Sequence, residues 1–278
     1  METLFLLIIG LFVFALGSAI GSFLNVVIYR IPSGLSLLWP PSRCPVCLHR
    51  LGRSENVPVL GWLWLKGRCK NCRTRISVRY PCIEAATGCL FVLVYWQTAL
   101  SQEALLPLKT LVIWVFASWL LALAMIDLDT MTLPHVLTKW GLLVGLLSQA
   151  IAGLAAGGWA GCITHLMTGI GGAVVGIWLL DIVTIVGSIA FAKPAMGGGD
   201  AKLAAMMGAW LGWKLFLLAG FLACAGGAFL GGGAIALGWL NRGQPFPFGP
   251  FLALGAFIAA LWGEQLVAVY LRVFFPTL

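Results

Sequence analysis

Asp127 closes the apolar run 111–126, and Asp200 closes Gly197-Gly198-Gly199-Asp200 between two further apolar runs. An ionisable group at membrane depth is expensive, so it is usually there for function. Two carboxylates brought together can share one proton. The charged one takes a proton from water, the neutral one donates to a carbonyl oxygen, and the roles then exchange. This is metal-free amide hydrolysis. The glycines before Asp200 remove side-chain bulk and leave backbone amides to pair with an extended peptide, which needs such donors inside a membrane.

A second pattern is metal-ligating. Cys44-Pro-Val-Cys47 and Cys69-Lys-Asn-Cys72 are two CxxC pairs separated by 21 residues. That spacing predicts a closed four-thiolate zinc site, which is structural because no position is left open for water. A loop of about 50 residues builds little core and gains from a metal staple. Cys82, Cys89, Cys162 and Cys224 lie in or beside apolar runs, where cysteine acts as a small hydrophobe.

Other ionisable residues give weaker patterns. Asp129 reads as a solvated loop residue or helix cap. Asp181 lies inside an apolar run and has His165 or Lys139 as possible partners. Lys202 either pairs with Asp200 or snorkels to the interface. His135 and His165 are isolated and form no ligand pattern.

The elements that must hold these groups are membrane spans. The chain is 61% hydrophobic and 9% charged, with a mean hydropathy of +1.00, whereas soluble domains are about 25% charged. The expected fold is an all-α polytopic membrane protein of about eight transmembrane helices, with a small cytoplasmic zinc-binding loop domain. Charge-free runs place the spans near 4–28, 83–100, 106–126, 136–157, 162–191, 201–212, 214–240 and 251–271. The sixth is short, so 201–240 is alternatively one broken helix or a re-entrant segment. The predicted division is a first helix over 1–29, the four-cysteine loop over 30–82 and the aspartate-bearing bundle over 83–278. Glycine clusters serve close helix packing, and no internal repeat is evident.

Charge sets the orientation. The loop 30–81 holds ten of the seventeen lysines and arginines. With the N-terminus outside, 14 basic residues face the cytoplasm and three (Lys109, Lys214, Arg272) do not, as the positive-inside rule requires. Both aspartates then fall at the cytoplasmic ends of their spans. The net charge of +8 reflects this asymmetry and suits anionic lipid; it does not indicate nucleic-acid binding.

Several segments in order carry a family resemblance: 21–30 (GSFLNVVIYR) with Pro32, the two CxxC pairs, and 76–81 (ISVRYP) with Glu84. Ile126-Asp127 with Leu133-Pro134, 197–203 (GGGDAKL) and 247–255 (PFGPFLALG) follow. The chain resembles the type IV prepilin leader peptidases, membrane aspartyl proteases of the GxGD class. The resemblance implies cleavage of the leader of type IV prepilins and type II secretion pseudopilins, on the cytoplasmic side of the bacterial inner membrane. It implies N-methylation of the new amino terminus from S-adenosylmethionine. It maps the catalytic pair to Asp127 and Asp200, and a methyl-transfer position to Gly67. Asn25, Arg30 and Glu84 match motif positions without an evident role. The chain departs from the family at Pro134-His135, where Pro-Asp is usual, and in a longer gap between the aspartates. Two other readings are a peptidase without methyl transfer and a transporter coupling ions through paired aspartates.

Overall fold

The computed structural model describes residues 2–99, 106–191, 196–239 and 246–275. Its helices are α1 (Glu2–Arg30), α2 (Leu60–Trp64), α3 (Arg79–Ala99), α4 (Leu106–Thr130), α5 (His135–Phe191), α6 (Gly198–Ala236) and α7 (Gly249–Phe274). Six of these, all but α2, are long and apolar enough to cross a membrane. Exposed Leu, Ile, Phe and Trp side chains cover the helices on their outer faces, as a lipid-facing bundle requires.

The six helices differ from the eight expected spans at two glycine breaks. α5 has 57 residues, about 86 Å of helix against a bilayer core of about 30 Å. It is interrupted at Gly157 and Gly158, where φ is +61° at Gly158. A Cβ at Gly153 would lie 2.8 Å from the Cα of Cys162, so the chain doubles back there. α6 breaks at Gly212, with φ +72° and ψ 169°. Phe216, Gly220 and Cys224 beyond that break line one cavity with Leu179, Leu180 and Met196, so α6 also folds back on itself. The break falls at the 212/214 boundary read from the sequence. Each break therefore separates two legs, and those legs are the segments that the sequence reading set apart on either side of it.

The chain forms two compact units, Met1–Leu106 and Pro107–Leu278. In the first, α1 packs on α3. A Cβ at Gly21 would lie 2.7 Å from the Glu84 Cα, and one at Gly17 2.9 Å from the Gly88 Cα. In the second, residues 203–210 of α6 are buried on every side. Gly172 faces Gly208 so tightly that a Cβ on either would collide with the other's carbonyl, and Gly176 meets Ala204 in the same way. Small residues at these crossings let the backbones touch, which is how membrane helices gain packing without a hydrophobic drive.

Candidate aspartate site and four-cysteine centre

Asp127 sits in the last turn of α4 and Asp200 in the first turn of α6. The two helices run antiparallel. Phe116, eleven residues before Asp127, stacks on Trp210, ten residues after Asp200, with ring centroids 5.0 Å apart. That register brings the two carboxylates level. Asp127 is 5% exposed and Asp200 is half-buried. Leu133, in the turn after α4, packs on Gly199 at 3.1 Å from where a Cβ would stand. The glycine run therefore lets the α4–α5 turn close against the start of α6.

A third element completes the site. The Gly249 backbone N–H at the start of α7 donates to Asp127 Oδ2 at 3.0 Å. A Cβ at Gly249 would stand 2.6 Å from that oxygen. Sequence reasoning gave Gly249 no role. The signal was present in Phe248-Gly249-Pro250, a glycine immediately before the proline that opens a helix.

The remaining sequence candidates separate. Asp129 is exposed in the last helical turn of α4, not in a loop. His135 is exposed at the start of α5, and Lys202 is exposed on α6. Asp181 is also exposed and cannot reach His165, which lies 16 residues along the same helical stretch, about 24 Å away. His165 Nδ1 instead meets Gln149 Oε1 at 3.2 Å, and Gln149 Nε2 donates to the Trp210 carbonyl at 2.7 Å. Trp210 Nε1 in turn donates to the Gly141 carbonyl at 2.8 Å. This polar chain satisfies groups that would be costly unpaired in a membrane interior.

The four cysteines converge. The sulfurs of Cys44, Cys47, Cys69 and Cys72 all lie within 4.8 Å of one another. Cys44–Cys72 and Cys47–Cys69 are 3.7 and 3.8 Å apart. A tetrahedron with Zn–S bonds of about 2.3 Å has S···S edges of about 3.8 Å, so the site fits zinc. The backbone N–H of His49 favours the Cys47 thiolate and outweighs burial, holding its thiol down at about 6. At Cys72 the Thr74 backbone also favours the thiolate. Burial and the neighbouring sulfurs prevail there and push it up to about 11. Four clustered thiolates need a compensating cation, which a divalent metal supplies.

The two cysteine pairs form matching knuckles. Cys44 N–H donates to His49 O and Cys69 N–H to Thr74 O, both at 2.9 Å. Leu48 N–H bonds Cys44 O and Arg73 N–H bonds Cys69 O, both at 3.0 Å. Isolated bridges pair Arg43 with Arg50 and Arg68 with Arg75, and Leu48 and Arg73 take φ of +58° and +60°. Glu55 joins the copies, lying 3.6 Å from His49 and 3.8 Å from Lys70. Gly67 precedes the second knuckle with φ +66°, and a Cβ there would lie 2.6 Å from the Trp62 ring.

The motif residues around the loop acquire positions. Arg30 donates to the carbonyls of Ser36, Leu37 and Pro40, which folds the chain back at the end of α1. Asn25 Nδ2 donates to the Tyr80 carbonyl at 3.1 Å. Glu84 Oε2 accepts the Val59 N–H at 2.7 Å, holding a β-branched residue at a φ of +61° that it would not adopt freely.

The pattern of the Bacterial Peptidase A24 N-terminal domain matches residues 15–98, and that of the Type IV leader peptidase family matches residues 114–232. The chain is similar to proteins named prepilin leader peptidase/N-methyltransferase. That of Aeromonas hydrophila is 38% identical over 94% of this chain and 93% of the relative. Those of Stutzerimonas stutzeri (36%, 92% of each) and Bacillus subtilis (34%, 93% and 96%) are similar. The chain belongs to the type IV leader peptidase family. No solved structure matches it. Both aspartates fall within the stretch matched by the leader peptidase pattern, and all four cysteines within the stretch matched by the N-terminal pattern.

Proposed function

We propose that this multi-pass membrane enzyme removes the leader peptide of type IV prepilins and pseudopilins and then N-methylates the exposed amine. The observation that supports the peptidase reading is the register of α4 and α6, which brings Asp127 and Asp200 level, with the Gly249 amide fixing one carboxylate. The charged aspartate accepts a proton from water, which attacks the scissile carbonyl while the neutral aspartate protonates its oxygen. Collapse of the tetrahedral carbon expels the new amine, and the aspartate that took the water's proton passes it to the leaving nitrogen. The buried Asp127 and its amide donor keep the first carboxylate in one orientation throughout.

Methyl transfer is assigned to the loop 30–82, with S-adenosylmethionine supplying the methyl group when bound. Zinc, held by Cys44, Cys47, Cys69 and Cys72, is structural in this reading. Gly67 supports methyl transfer by shaping the second knuckle. The charge bias supports a position for the loop and both aspartates on the cytoplasmic side of the inner membrane. Family membership and the zinc loop weigh against a transporter, which needs neither.

Mass spectrometry of a purified prepilin incubated with the enzyme, with and without S-adenosylmethionine, tests both activities. The expected result is leader loss in both reactions and one added methyl group only with the donor. Leader loss without methylation restricts the enzyme to hydrolysis; an intact prepilin beside folded enzyme contradicts the proposal.

A further inference from the structure

α2 and the pocket beside it belong to no part of the reaction described above. The helix reads Leu60-Gly-Trp-Leu-Trp64, and Leu60, Leu63 and Trp64 are 47, 53 and 65% exposed. A water-facing loop domain gains nothing from an exposed leucine–tryptophan face. Trp64 and Leu65 also wall a cavity of about 260 Å³ whose other lining residues include Lys66, Arg68, Lys70 and Arg73. All four cations are exposed. Apolar and basic surfaces thus meet along one edge of the zinc loop.

A hydrogen bond to α3 sets the height of that edge. The Val59 N–H, at the start of α2, is bonded to Glu84. Glu84 lies five residues inside α3, about 7.5 Å beyond that helix's start. It also faces Gly21, nine residues before the end of α1, or about 13 Å along its axis. α2 therefore begins within a side chain's reach of the first turns of α3, at the end of the spans. A segment at this level, with leucine and tryptophan directly beside lysine and arginine, has the chemistry of an interfacial anchor.

We propose that α2 lies in the bilayer interface and that the adjoining Lys66–Arg73 pocket binds the headgroup of an anionic phospholipid. The exposed apolar face distinguishes this ligand from free phosphate, which would leave Leu60, Leu63 and Trp64 in water. The headgroup neutralises the pocket, and the acyl chains cover the helix. The zinc loop is then held to the membrane surface by a third contact besides α1 and α3.

The test is hydrogen exchange of the full-length, zinc-loaded protein in nanodiscs of phosphatidylcholine alone or with increasing phosphatidylglycerol. Amides 59–73 become more protected as phosphatidylglycerol is added, while 44–51 of the first knuckle do not change. In Lys66→Gln and Arg73→Gln the phosphatidylglycerol fraction giving half-maximal protection rises roughly fivefold for each cation removed. Arg53→Gln, an exposed cation outside the pocket, leaves it unchanged. Zinc content confirms that each variant is folded, and the lipid titration of the unaltered protein decides the matter should a variant lose its metal. Equal protection in phosphatidylcholine alone, or with inorganic phosphate in place of the anionic lipid, overturns headgroup binding. Protection that appears only when prepilin is added makes this face a substrate dock and overturns the proposal as well.

Discussion

At Gly249 a backbone N–H, rather than a side chain, holds the Asp127 carboxylate. The contact leaves no room for substitution, since a Cβ would stand 2.6 Å from the accepting oxygen. Gly249→Ala is expected to displace Asp127 while leaving the helices in place. A shift of about 1 Å at a reacting group costs roughly 100-fold in rate. Leader cleavage by Gly249→Ala should therefore fall by about that factor with unchanged circular dichroism, and a rate within about twofold of the parent would show that the amide contact is dispensable. Asp127 and Asp200 were legible in the sequence because a carboxylate amid apolar runs is conspicuous. The Gly249 contribution was not, because a main-chain donor has no side-chain signature. The register that levels the aspartates was hidden in Phe116 and Trp210, two aromatics among many.

Elements show the same division. The two CxxC pairs announced four sulfurs, and the loop brings all four together. A knuckle at each pair follows from the spacing and the matching Arg-Cys-x-x-Cys-x-x-Arg strings, whereas the Glu55 link between the two knuckles has no such signature. A closed metal site couples binding to folding. Elemental analysis of the purified protein should find one zinc per chain. Cys44→Ser should lose it and become open to proteolysis between residues 42 and 76. Parent protein without metal, or a serine variant with full metal and resistance, would contradict a zinc-stapled loop. Gly67→Ala falls at this scale too, because its left-handed backbone and contact with Trp62 make it a shaping residue for the second knuckle. The glycine breaks in α5 and α6 were partly visible. Gly157 and Gly212 stand at expected span ends, but only the backbone shows that each helix folds back on itself.

For the whole molecule, composition alone identified a membrane protein, and the helices agree with it. Orientation rests on the distribution of lysine and arginine, 14 against three. Arg53→Cys should add labelling by a membrane-impermeant thiol reagent, over the level of the parent protein, in inside-out vesicles and not in sealed right-side-out ones. Labelling of the second preparation alone would reverse the topology and move the aspartates to the other face. The central claim is that Asp127 and Asp200 act together on a peptide bond, and the most direct measurement is the prepilin cleavage rate of Asp127→Asn and Asp200→Asn in folded, membrane-inserted enzyme. Each change removes one half of an acid–base pair, so each rate should fall by roughly 1,000-fold or more, with zinc content unaltered. Parental turnover in either variant would contradict the dyad.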